Sequence, residues 1–179
     1  MESRPLTFAQ IGCGYWGPNL LRNFSALASS SVKYVVDSSP ERRAFVEKNF
    51  PRTSAVTTTD AVFNDPEVDA VIISTPAGSH FALASIALRA GKHIFVEKPL
   101  ATRVSEVDEL AELAEAKQLI VMAGHTFVYN SAVRYVKQLL NAGELGKVRY
   151  IYSQRLNLGR IRNDIDALWN FAPHDVSII

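Results

Sequence analysis

A chain of 179 residues can hold one large domain, or one domain and part of a second. Hydrophobic residues make up 47% and charged residues 21%, which excludes wholesale disorder. Lys and Arg (19) nearly balance Asp and Glu (18), so neither a nucleic acid nor a membrane surface is expected as a partner.

The first stretch with chemical meaning is TFAQIGCGYWG, Thr7 to Gly17. An apolar run reaches Gly12; Gly12, Gly14 and Gly17 follow with G-x-G-x-x-G spacing; and Trp16, Leu20, Leu21, Phe24 and Leu27 continue as the apolar side of a helix. Strand, tight turn and helix in that order cradle a pyrophosphate: one glycine permits the turn, one admits backbone to the phosphates, and one lets helix and strand pack closely. The helix N-terminus adds unpaired N–H groups and partial positive charge. Cys13, the single cysteine, excludes an internal disulfide; it reads either as a reactive thiol near a helix N-terminus or as a small residue filling the turn.

The next strand, Val32 to Val36, ends at Asp37, roughly 20 residues past the last glycine, where a ribose-binding carboxylate belongs. A carboxylate there accepts from the ribose 2′-hydroxyl and repels a 2′-phosphate, so NAD is expected; Ser38, Arg42 and Arg43 keep NADP open. Pro40 opens a helix to about Phe50, Ser54 to Val56 is a short strand, and Asp60 to Phe63 a brief helix. Asp69 to Thr75 is an apolar, β-branched run suited to a strand covered on both faces, and Gly78 to Ala90 reads as helix. His93 to Val96 is the next strand, ending in Glu97-Lys98-Pro99. A helix from about Ser105 turns Val107, Leu110, Ala111 and Ala114 inward and Glu106, Glu109, Glu112 and Glu115 outward, and Leu119 to Ala123 leads to Gly124-His125. Alternating strands and helices predict a doubly wound parallel sheet.

Beyond Asn130 the pattern changes. Ala132, Val133, Val136, Leu139 and Leu140 form a helix closed at Asn141-Ala142-Gly143, and KVRYIYSQR, Lys147 to Arg155, alternates as a strand opening a second sheet. Pro173 to Ile179 reads as the first turns of a helix. A lone strand and a short helix cannot bury a core, so either a truncated chain or completion by another subunit is expected. No basic-then-apolar leader and no apolar run of bilayer length is present, which sets the expectation of a cytoplasmic protein without membrane contact.

Open parallel sheets bind ligands beyond the carboxyl ends of their strands, which brings Thr75-Pro76-Ala77, Glu97-Lys98-Pro99 and Gly124-His125 to one edge. Lys98 is the candidate for chemistry, because desolvation disfavours the charged form of a lysine and suits it to acid-base work. His80, His125 and His174 each read as ligand-facing or as packing and capping residues. No His, Cys and carboxylate cluster has metal-ligand spacing.

IGCGYWGPNL, STPAGSH, VEKPLA and FAPHDVSII together resemble the Gfo/Idh/MocA oxidoreductases. The resemblance implies a Rossmann α/β domain, 1–124, followed at 125–179 by the beginning of an incomplete open-sheet α/β domain that binds substrate and makes a homo-oligomer interface. It assigns Gly12, Gly14, Tyr15, Trp16, Gly17, Asp37, Ser74, Thr75, Pro76, His80, Glu97 and Lys98 to the cofactor, NAD or NADP. It makes Lys98 and His174 the catalytic pair, with Asn170 where many members carry Asp. GCGYWGPNLLRNF with RLNLGRIRNDIDALWNFAPHD is most similar to members acting on nucleotide-linked sugars, which implies a small-molecule sugar nucleotide as substrate. Lys98, His125, Arg155, Arg160, Asn170 and His174 are then candidates to contact it, Arg155, Arg160 and Arg162 through its diphosphate. Inositol, a free sugar or a ketosugar, or a module that binds nucleotide without turnover, are the alternatives.

Overall fold

The computed structural model describes residues 4–156 and 165–179. Six parallel strands, β1 (Leu6–Ile11), β2 (Ser30–Val36), β3 (Ser54–Val56), β4 (Ala70–Ile73), β5 (His93–Val96) and β6 (Val121–Ala123), form one sheet in the order β3-β2-β1-β4-β5-β6. The order reverses between β1 and β4, and there the carboxyl ends of neighbouring strands open a crevice. The helices between strands are α1 (Gly17–Ala26), α2 (Pro40–Asn49), α3 (Asp60–Phe63), α4 (His80–Arg89) and α5 (Val104–Lys117).

Each face of the sheet has its own core. Cys13, Leu21, Val32, Val35 and Val46 pack with Phe8 and Phe24 under α1 and α2. Ala9, Ile11, Val71, Ile73, Ile94 and Val96 meet Val62, Ala84, Leu88, Leu110 and Ala114 of α3, α4 and α5 on the other face. β4 is buried along its whole length, as a central strand covered on both faces must be. Phe24 is the pivot of an aromatic trio, 4.8 Å from Phe8 and 5.6 Å from Phe95 between ring centroids, which ties α1 to β1 and β5.

Several expectations are corrected here. On α5 only Leu110 and Ala114 are buried, while Val107 and Ala111 are exposed. Glu106 turns back to accept the backbone N–H groups of Thr102 and Arg103, closing the helix N-terminus instead of facing water. The 78–90 segment begins as a turn of 3₁₀ helix, Ala77–Ser79, before α4 proper.

The chain divides into two compact units, 1–123 and 124–179. The second holds a 3₁₀ turn, Thr126–Tyr129, and the helices α6 (Ser131–Asn141) and α7 (Ala167–Ile178). Residues 148–155 carry no regular secondary structure: alternation alone does not make a strand, and the described residues offer this segment no ladder to join. α7 starts six residues earlier than the Pro173 signal suggests, because Asp166 accepts the N–H of Trp169 as an N-cap and Pro173 lies inside the helix.

Candidate nucleotide site at the carboxyl edge of the sheet

The glycine loop joins β1 to α1 and its shape leaves no room for side chains at two positions. Gly12 has φ +90°, and a Cβ there would lie 2.8 Å from Ser74 O; a Cβ on Gly17 would lie 2.9 Å from Gly12 O. Gly14 opens onto free space, the direction from which a diphosphate can approach backbone. No side chain caps the N-terminus of α1 and its first turn holds no acidic residue; Pro18 has no N–H and the Asn19 N–H is donated to Trp16 O at 2.9 Å, so what the helix end offers an anion is chiefly its dipole. These features fit a dinucleotide. Tyr15 and Trp16 are exposed on the loop.

Asp37 stands at the end of β2 with Oδ2 accepting the Cys13 N–H at 2.7 Å and Oδ1 accepting the Ser39 N–H at 2.9 Å. The carboxylate is thus aimed by backbone, and each oxygen retains a lone pair for a ribose hydroxyl. Arg43 donates through Nη1 to the carbonyls of Asp37 and Ser38 at 2.8 and 2.9 Å, which braces the strand end. Arg42 is exposed. Cys13 is fully buried, and burial together with the neighbouring Asp37 charge pushes its thiol up to about 11, which settles the turn-filling reading.

On the other side of the crevice the β4–β5 pairing continues past the strands, with Glu97 N–H donating to Ile73 O at 2.9 Å. Parallel pairing therefore carries Ser74 and Thr75 alongside the Glu97-Lys98 turn, where the Lys98–Pro99 bond is cis. His80 lies between these two ends: it is 1% exposed, with Nδ1 2.7 Å from Pro99 O and Nε2 2.9 Å from Thr75 O. A neutral imidazole has one N–H and donates to one of those carbonyls. Both ring nitrogens of His80 thus face backbone carbonyls at the carboxyl edge of the sheet. Ser79 Oγ donates to Pro76 O at 2.7 Å, which makes Thr75 Oγ1 the donor in its 2.7 Å contact with Ser79. Glu97 accepts the Lys98 N–H through Oε2 at 3.3 Å while Oε1 is buried without a partner. Burial raises its carboxyl above the usual range, opposed by Lys98 and by a hydrogen bond with the Trp16 side chain.

In the second unit His174 stands edge-on to Phe127, 5.1 Å between ring centroids, and Asn170 lies one helical turn before it on α7. Arg155 sits over the Phe127 ring and binds Asp175 in a fork, Nε and Nη2 both at 2.9 Å, with Ser153 Oγ adding a third bond at 2.8 Å. That pairing holds the Asp175 carboxyl below the usual range. His125 precedes the 3₁₀ turn with Nδ1 buried and without a hydrogen-bond partner among the described residues. Arg160 and Arg162 lie outside the described residues.

The family profile described as oxidoreductase family, NAD-binding Rossmann fold (Gfo/Idh/MocA), matches residues 6–125. The chain belongs to the Gfo/Idh/MocA oxidoreductases. Its first unit is the family's NAD(P)-binding Rossmann domain. Among curated relatives, UDP-N-acetylglucosamine 3-dehydrogenase of Acidithiobacillus ferrooxidans is 34% identical over 94% of this chain and 51% of its own length. A putative oxidoreductase of Magnetospirillum magnetotacticum superposes with TM-score 0.82 at 31% identity, over 97% of this chain and 55% of that one. KijD10, a 3-ketoreductase from Actinomadura kijaniata solved with TDP-benzene and NADP, gives TM-score 0.76 at 27% identity over 82% and 46%. The chain spans about half the length of the curated relatives it matches, or less.

Residue patterns pointed to the glycines, Asp37 and the E-K-P turn, but missed Gln10, whose buried Nε2 lies 2.8 Å from Gly12 O and 3.0 Å from Gly17 O. Its signal was visible: one polar residue inside the apolar run FAQI, two places before the first glycine.

Proposed function

We propose that the protein containing this chain is an NAD-dependent oxidoreductase acting on C3 of a nucleotide-linked sugar. The observation that carries this reading is the Glu97-Lys98 turn, paired to the end of β4, packed through His80 against Thr75 and set beside the glycine loop at one sheet edge. Asp37 holds the adenosine ribose and favours NAD over NADP by charge. NAD, when bound, supplies the hydride acceptor at the nicotinamide ring. Lys98 Nζ takes the proton of the ring hydroxyl as the C–H bond is broken, and His174 is the second candidate for that proton on the family's pattern. The names of the UDP-sugar dehydrogenase and the 3-ketoreductase among the relatives support a nucleotide-sugar substrate over inositol or a free sugar.

The test is formation of NADH at 340 nm with UDP-N-acetylglucosamine or its uronate, against inositol and free sugars, in wild type and Lys98→Ala. Turnover confined to the nucleotide sugars and reduced at least ~100-fold in the variant is the expected result. Turnover of inositol or free sugars alone overturns the substrate class; NAD binding without turnover of any of them supports the binding-module alternative.

A further inference from the structure

We propose that Gln10 is the positioning residue that holds the glycine loop open for a diphosphate. It does so by tying the first and last glycines of the motif to a single buried amide. The proposal rests on the reading of that loop as a dinucleotide cradle.

Gln10 is a β1 residue with no exposed surface. Its Nε2 lies 2.8 Å from Gly12 O and 3.0 Å from Gly17 O, with Ser74 Oγ at 3.4 Å. The two amide protons are matched by the two glycine carbonyls. Ser74 Oγ donates its own proton to Gly12 O at 2.7 Å, which leaves the hydroxyl lone pairs facing the amide. The amide orientation follows from these partners: reversed, Oε1 would face two carbonyl oxygens.

Two features separate this from ordinary core filling. Oε1 is buried with no partner, a cost that a methionine or leucine of similar volume would not carry, so the amide is explained by its nitrogen. The bonded carbonyls belong to the glycines where side chains are excluded, and the Gly17 position leaves only 3.0 Å between a Cβ and Gln10 Nε2. Drawn inward to Gln10, Gly12 O does not face the open side at Gly14, while Gly17 O, which points along α1, fixes the amide from the helix side. Turned outward, Gly12 O would repel a diphosphate that the uncapped α1 N-terminus attracts.

Gln10→Met keeps the volume and removes both donors; Gln10→Glu keeps the shape and turns the donor into an acceptor. In the 179-residue chain, calorimetric titration with NAD and NMR titration with adenosine separate loop geometry from general stability. Both variants are expected to weaken NAD at least ~10-fold while adenosine, which has no diphosphate, changes by less than ~2-fold. In wild type the Gln10 side-chain amide protons are expected to exchange slowly with solvent. Unchanged NAD affinity in the variants, or equal weakening of NAD and adenosine, overturns the proposal. If neither variant folds, the exchange measurement decides: rates of a solvent-exposed glutamine overturn it. A wild-type chain that binds adenosine but not NAD removes the cradle reading itself, and the proposal with it. That outcome differs from intact NAD binding that ignores Gln10.

Discussion

Cys13 brings together the backbone and the electrostatics of the site: its N–H orients Asp37 while its thiol is buried between the sheet and α1. A thiol pushed up to about 11 and without exposed surface is a poor nucleophile at neutral pH. Native protein is therefore expected to resist iodoacetamide at pH 7.5 and to be labelled once denatured; rapid native labelling would contradict the buried loop geometry. The glycine spacing and Asp37 were legible in the sequence because their constraint is local, a turn and a strand end. Gln10, the His80 contacts and the Trp16 contact with Glu97 were not, since each joins residues that only the folded sheet brings together.

Among the elements, β2 and the turn before β4 are held by a charged cluster. Lys33 Nζ lies 2.6 Å from both Asp65 and Glu67, and Tyr34 OH donates to Asp65 at 3.0 Å. Hydrogen bonding from Lys33 first, then the Glu67 N–H and Tyr34, holds the Asp65 carboxyl down at about 2. A carboxyl depressed in the folded state contributes stability above its unfolded value and loses it as pH falls through the folded one. Urea midpoints are therefore expected to drop between about pH 4 and pH 2, and Asp65→Asn to flatten that part of the profile. An unchanged profile in the variant would remove Asp65 from the account. Strands of the first unit were readable because their apolar runs are short, rich in β-branched residues and bounded by turn residues, as strands covered on both faces are. The 147–155 segment was misread because its alternation states which faces could be buried, and not whether a partner strand is present.

At the scale of the whole molecule the two units differ in kind. The first has a core on each sheet face. In the second, Gly124 is the one buried position among the described residues, and Tyr150, Leu156, Leu168 and Val176 are each more than 70% exposed. Apolar surface on this scale binds dyes and other copies, so the 179-residue chain is expected to enhance anilinonaphthalene sulfonate fluorescence and to self-associate in light scattering. A monodisperse, dye-silent monomer would contradict that expectation. Among the described residues no helix is long and apolar enough to cross a membrane.

The first unit has every element its proposed role requires: the open loop, the uncapped helix, the aimed carboxylate and the E-K-P turn. The most direct test is calorimetric titration of this chain with NAD and NADP, in wild type and Asp37→Ala. The account predicts saturable binding of both, tighter for NAD, with that preference lost or reversed in Asp37→Ala. No binding of either cofactor, or a preference indifferent to Asp37, would contradict it.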